Sequence, residues 1–167
     1  MKYGKKFVMF ALSALLVGGS AFAATTASIT ISGSVPAILE ISVTPAPAAS
    51  NLPLTSSVSD LPVATVVERS NKKAGYFVRL ESANAVAAGS SVAAFGSPET
   101  PDTMPYIIKY GGNAVSFSNG VALVSDVSSK TNASGTSRLV SVSFDGANHF
   151  LDESTYGDTL TFTVIAK

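Results

Sequence analysis

Cysteine and tryptophan are both absent from the 167 residues, and histidine occurs once. Without cysteine no disulfide can hold the chain together and no thiolate can act as nucleophile, so stability has to come from burial, hydrogen bonding or assembly with other chains. Without tryptophan, and with the tyrosines scattered among inward-facing positions, there is no obvious aromatic platform for a carbohydrate. Charge is sparse as well, at 13% of residues, with 11 basic and 11 acidic groups. No phosphate-cradling loop, dinucleotide fingerprint or nucleophile elbow is present.

What is present begins with a compartment signal. Lys2, Lys5 and Lys6 precede the apolar run "FVMFALSALLVGG", and "AFA" at residues 21–23 follows. This order of charged, apolar and small residues is that of a secretory signal peptide, with cleavage expected after Ala23. The apolar run is shorter than the roughly 20 residues that span a bilayer, so residues 1–23 are read as a leader and not an anchor. No later segment is apolar for long enough to cross a membrane, and no cysteine follows the leader to carry a lipid. Removing residues 1–23 takes away three of the 11 basic groups and leaves 8 against 11 acidic, a net charge of three negative that argues against nucleic acid as a partner. The remaining 144 residues suffice for one domain with a real core.

Beyond the leader, period-two alternation predominates and amphipathic helices are hard to find, which predicts an all-β domain. In "GYFVRLESA", Tyr76, Val78 and Leu80 share a face, and in "PYIIKY" Tyr106, Ile108 and Tyr110 do so. "SRLVSVSF" turns Val140, Val142 and Phe144 the same way. "GGNAVSFSNGVALVSD" reads as a hairpin about Asn119-Gly120, with Val115 and Phe117 before the turn and Val121 and Leu123 after it. "ILEISVT" and "PVATVVER" add strands, joined by "TPAPAASNLP" as an extended crossover loop. "ERSNKK" reads as a solvated hairpin tip. "ANAVAAGSSVAAFGSPETPDT", interrupted by Gly89 and followed by Pro98 and Pro101, reads as a surface loop. With the first and last segments the count is roughly nine strands, the number expected of a two-sheet sandwich.

Both ends of the mature chain are themselves strand-like. In "TTASITISGSVPAILEISV", Ala27, Ile29, Ile31, Gly33 and Val35 fall on one side and Ser28, Thr30, Ser32 and Ser34 on the other. This stretch carries no charge, although natural edge strands are usually blunted by charge or proline, and Pro36 ends it abruptly. In the closing "YGDTLTFTVIAK", Tyr156, Leu160, Phe162 and Val164 share one face.

The succession "GYFVRLESAN", "MPYIIKYGG" and "YGDTLTFTVIAK", with "ITISGSVPAILEISVT" in front, resembles the spore coat protein U domain and the related archaic chaperone–usher pilins over most of the mature chain. The resemblance implies an incomplete immunoglobulin-like β-sandwich over residues 36–167 whose groove is filled by the leading strand, residues 24–35, of a neighbouring subunit. It implies Ile29, Ile31, Gly33 and Val35 as the inserted residues. Leu160, Phe162 and Val164 would lie on the strand that borders the groove, capped by a periplasmic chaperone before polymerisation at an outer-membrane usher. Many members of that family carry a cysteine pair near the first body strand, where "PAILEISV" has none, and "DEST" stands where a glycine precedes the final tyrosine, here Tyr156.

Apart from the resemblance, strand addition makes physical sense: Ile29, Ile31 and Val35 contribute about 1.5 to 3 kcal/mol each when buried, before ordering costs. The catalytic alternatives are thin. His149 lies near Asp145, Asp152 and Glu153, but a single imidazole on a turn reads as a solvated loop residue, and adjacent Asp152 and Glu153 point apart on a strand. "NAS" at Asn132 fits a glycosylation triplet in a turn. The sequence therefore points to a non-enzymatic structural subunit without a cofactor or metal, exported through a periplasm to the cell surface and self-associating into fibres. The competing class is a monomeric secreted binding module whose first strand pairs within its own sandwich.

Overall fold

Alternating apolar residues become strands wherever both faces of the alternation find a use. The computed structural model describes residues 25–167, so the signal peptide expected over residues 1–23 lies outside the described residues. The chain divides into two units, residues 1–34 and residues 35–167. In the larger unit the strands are β1 (Leu39–Pro45), β2 (Ser57–Ser70), β3 (Tyr76–Ser82), β4 (Ala93–Gly96), β5 (Thr103–Tyr110), β6 (Asn113–Ala114), β7 (Val121–Val127), β8 (Thr136–Asp145) and β9 (Leu160–Ala166), with one short helix, α1 (Ala83–Ala88). The fold is all-β and antiparallel. One sheet runs β1-β2-β8-β5-β4 with β6 added to β5, and the other runs β7-β3-β9.

The two sheets share one core. Val63 and Val66 of β2, Met104, Tyr106, Ile108 and Tyr110 of β5, and Val140, Val142 and Phe144 of β8 meet Leu80 of β3, with Leu160 and Phe162 of β9 packed against them. Phe95 stacks on Tyr106 at 4.1 Å between centroids and meets Phe144 edge-on at 5.6 Å. The inward triplets expected in β3, β5 and β8 are therefore the buried ones.

Five local expectations are corrected. The segment after β3 is not a bare loop. Ser82 Oγ accepts the Ala85 N–H at 3.2 Å and Gly89 closes α1 in the left-handed region, after which Ala93 and Phe95 turn inward on β4. The Asn119-Gly120 turn is real, with φ of 50° and 77°, but the strands beside it part after the Ser118–Val121 bridge, β6 going to β5 and β7 to β3 in the other sheet. A bulge opposite Val78 and Arg79 inverts the expected parity of β7, so Ala122, Val124 and Ser125 face inward while Leu123 faces solvent. "ERSNKK" is no hairpin tip but the passage from one sheet to the other. The proline-containing segment after β1 joins two adjacent antiparallel strands and so is not a crossover; it includes a 3-10 turn over Pro47–Ser50.

Residues 25–38 carry no assigned strand. At the root of this segment Asn71 acts as a clasp, its Oδ1 accepting the Ile38 N–H at 2.8 Å and its Nδ2 donating to the Pro36 carbonyl at 2.7 Å.

Candidate functional site: a cleft between two open edges

The larger sheet has five strands along its main path and the smaller has three, so the smaller sheet leaves part of the core without a roof. β1 pairs only with β2, and β9 only with β3. These two free edges face each other across the gap between the sheets. The far edge of β9 presents backbone N–H and C=O groups with no ladder partner among the described residues, which is the condition for accepting another strand.

Where β1 ends and β9 begins, the gap widens into a cavity of about 1090 Å³. Val63, Val140, Val142 and Phe95 form its floor, Leu160 and Phe162 one wall, and Leu52, Leu54 and Leu151 the mouth. That volume exceeds the roughly 300–1,000 Å³ of small-molecule pockets, and aliphatic and aromatic groups make up its depth. All four floor residues belong to the buried core itself: Val63, Phe95, Val140 and Val142 are at most 8% exposed. The cavity is thus a lateral opening into the core.

Asp158 sets the start of β9. Its carboxylate accepts from Tyr106 Oη at 2.7 Å, Ser82 Oγ at 2.5 Å, the Asn84 N–H at 3.1 Å and its neighbour Thr159 N–H at 2.7 Å. One side chain therefore ties β9 to β3, α1 and β5 and holds Leu160 and Phe162 against the core. Burial, reinforced by the bond to Asp158, pushes the Tyr106 hydroxyl well above the ordinary phenol range.

A second carboxylate hub lies at the opposite end. Glu68 is fully buried and accepts from Tyr110 Oη at 2.6 Å, Tyr76 Oη at 2.8 Å and Ser125 Oγ at 3.2 Å, with Arg138 Nε 3.8 Å away. Burial first, and then the bond to Glu68, push the Tyr76 hydroxyl up to about 12. An unfolded tyrosine loses its proton near pH 10, so between about pH 10 and 12 the unfolded chain holds fewer protons than the folded one and stability falls as pH rises. Tyr76→Phe should flatten that alkaline loss in urea titrations while also costing stability at neutral pH. An unchanged alkaline slope would show that Tyr76 is not its source.

Of the residues expected at the site, Leu160 and Phe162 line the cavity, while Val164 lies farther along β9 opposite Val78, half-buried and outside the cavity lining. Ile29, Ile31 and Val35 are 85%, 88% and 83% exposed, and nothing lies within 4 Å of where a Cβ on Gly33 would stand. His149 is exposed, with Nδ1 2.9 Å from the Asp145 carbonyl, and Asp152 and Glu153 are exposed too. Among the described residues no three acidic, histidine or cysteine groups converge on a metal position. Asn132 is exposed in a turn, its side-chain oxygen accepting from Ser134 Oγ at 3.0 Å. Among the described residues no helix is long and apolar enough to cross a membrane. Sequence reasoning missed the two carboxylate hubs, Glu68 and Asp158. The one available signal for Glu68 was a glutamate at an inward position of an otherwise apolar alternation.

No family model matches the chain, and no curated protein matches it.

Proposed function

We propose that this chain is a non-enzymatic structural subunit of a secreted surface fibre, pilus or coat: an immunoglobulin-like β-sandwich short of one strand, completed by the leading segment of a neighbouring copy. The observation that carries this reading is a complementary pair within one sequence. A cleft opens into the core between the free edges of β1 and β9, and an uncharged segment with alternating apolar residues, Ile29, Ile31, Gly33 and Val35, stands exposed and unladdered. From Ile29 to Val35 an extended chain covers about 20 Å, close to the length of the seven-residue β9. Insertion provides ladder partners for the β9 edge and covers Val63, Val140 and Phe162.

Chain direction favours a neighbour over self-insertion. β1 begins opposite Ser70 and ends opposite Ala64, while β9 begins opposite Ser82 and ends opposite Tyr76. Pro36 therefore emerges at the end away from the cavity. A segment folded back from Pro36 into its own cleft would run parallel to β9, the weaker pairing. The same segment from another copy can run antiparallel to β9, leaving at the cavity end to join its own body. Such a contact is head-to-tail and propagates instead of closing. In this reading residues 1–23 are the cleaved export signal, a periplasmic chaperone covers the β9 edge in transit, and an outer-membrane usher receives the subunit.

Ile31→Asp tests it directly. A carboxylate at the centre of the inserted segment would be buried without a partner, so chains starting at Ala24 should form concentration-dependent oligomers on size exclusion and the variant should remain monomeric with an unchanged fold. An unsubstituted chain that stays monomeric at every concentration would instead favour a secreted binding module.

A further inference from the structure

The charges of the body separate along its length. At the end where Pro36 emerges, Lys72 and Lys73 sit in the passage between β2 and β3, and Lys130 adjoins Thr131, whose N–H donates to the Ser70 carbonyl at 2.9 Å. Arg69, Arg138 and Lys167 are also at this end, each matched by a carboxylate: Glu40, Glu68 and Asp126. Lys72, Lys73 and Lys130 have no carboxylate partner among the described residues.

The cavity end has the opposite sign. Asp145 closes β8, and Asp152 and Glu153 line the cavity mouth. Glu99 is brought to the same rim because its carboxylate accepts from Ser154 Oγ at 2.7 Å. None of these four has a cationic partner among the described residues. Beside them Phe150 is fully exposed, an aromatic ring with no contact in its own body that justifies its cost in water.

Resting on the fibre reading above, we infer that the acidic cavity rim with Phe150 is a docking face for the basic end of a second copy, so that body-to-body contact accompanies strand insertion. The occupant is another copy because this chain carries the complementary charge at the end from which its inserting segment departs. Insertion brings Lys72, Lys73 and Lys130 of the donor to the rim of the acceptor. Opposite fields on the two ends steer the bodies into head-to-tail register before the uncharged segment finds the cleft, and like ends repel.

The test is the initial rate of assembly of chains starting at Ala24, followed by light scattering. The rate should fall steeply with added salt. Lys72→Glu, Lys73→Glu and Lys130→Glu together should slow it about tenfold or more at low salt. Adding Glu99→Lys, Asp152→Lys and Glu153→Lys in the same chain should restore it, since both ends are then reversed. A peptide of residues 27–35 carries no charged side chain, so its binding to a body starting at Pro36 should be unchanged by the three lysine substitutions, which lie at the end away from the cavity. Peptide binding together with an unchanged assembly rate and salt dependence after charge reversal overturns the docking face and leaves the fibre reading standing. Failure of the peptide to bind overturns both. Loss of affinity for anionic phosphatidylglycerol vesicles, with assembly at the original rate, assigns the basic end to a lipid surface and overturns the inference.

Discussion

A chain starting at Pro36 is expected to melt at one low temperature at every protein concentration, and to rise by roughly 10 °C when a peptide of residues 27–35 is supplied at about 100 times its dissociation constant. The first half follows because residues 25–38 contribute no strand, so removing most of them costs the isolated body no ladder and takes away only the proposed donor. The second follows from mass action: a ligand of the folded state at that excess adds about 2.7 kcal/mol. Ile29, Ile31 and Val35 supply the affinity, offset by the cost of ordering the peptide. A peptide with aspartate in place of both isoleucines should be inert. Chains starting at Ala24 should melt higher and with a concentration dependence, as a neighbour supplies what the peptide mimics. Calorimetry would overturn the strand-exchange reading if the shorter body already matched the longer chain in stability and ignored the peptide.

Removing the Glu68 carboxylate should have a comparably large effect by an unrelated route. In Glu68→Ala the hydroxyls of Tyr76 and Tyr110 lose their acceptor inside the core, and Arg138, whose Nε is buried with no hydrogen-bond partner, loses its counter-charge. Breaking a buried ionic group in this way costs about 3–5 kcal/mol, against the 5–15 kcal/mol that stabilises a typical domain. Glu68→Gln keeps one acceptor oxygen and should fall in between. Glu68→Leu combined with Tyr76→Phe and Tyr110→Phe removes the carboxylate and both phenol hydroxyls, leaving Ser125 and Arg138, and should recover part of the loss. Urea denaturation gives the ranking, and a loss below about 1 kcal/mol in the alanine variant would show that the network is dispensable.

The strands were legible because one-sided burial leaves a period-two trace, and Tyr76-Val78-Leu80 and Val140-Val142-Phe144 carry it cleanly. Where pairing overrides the trace, legibility fails. Leu123 stands outside because a bulge shifts β7 by one residue, and nothing local in "GVALVSD" announces that β7 will leave the Asn119-Gly120 turn for the other sheet. The helix α1 was hidden because its cap, Ser82, ends a strand, and its second anchor, Asp158, is 76 residues away along the chain. At the candidate site, Leu160 and Phe162 were readable from the alternation of the last strand. The cleft itself was not, since an uncovered core depends on how many strands each sheet receives. Glu68 and Asp158 escaped notice for a related reason: apart from Tyr76, eight residues from Glu68, the hydroxyls they hold come from strands distant in sequence, and only the assembled sheets bring five hydroxyls onto two carboxylates.

The Asn71 clasp has a mechanical meaning for such a fibre. Because its side chain grips both Pro36 and Ile38, the arm has no slack between the inserted segment and β1, and a pull on the arm enters the body at the β1–β2 ladder. That ladder lies along the direction of the pull, so its rungs are loaded together in shear instead of being opened one after another from an end. In the proposed fibre the inserted segment, aligned along β9, would meet the same kind of load in the receiving body. Tension would thus be carried from one subunit to the next by sets of backbone hydrogen bonds acting in parallel, and cohesion under flow would come from geometry, with no covalent link required.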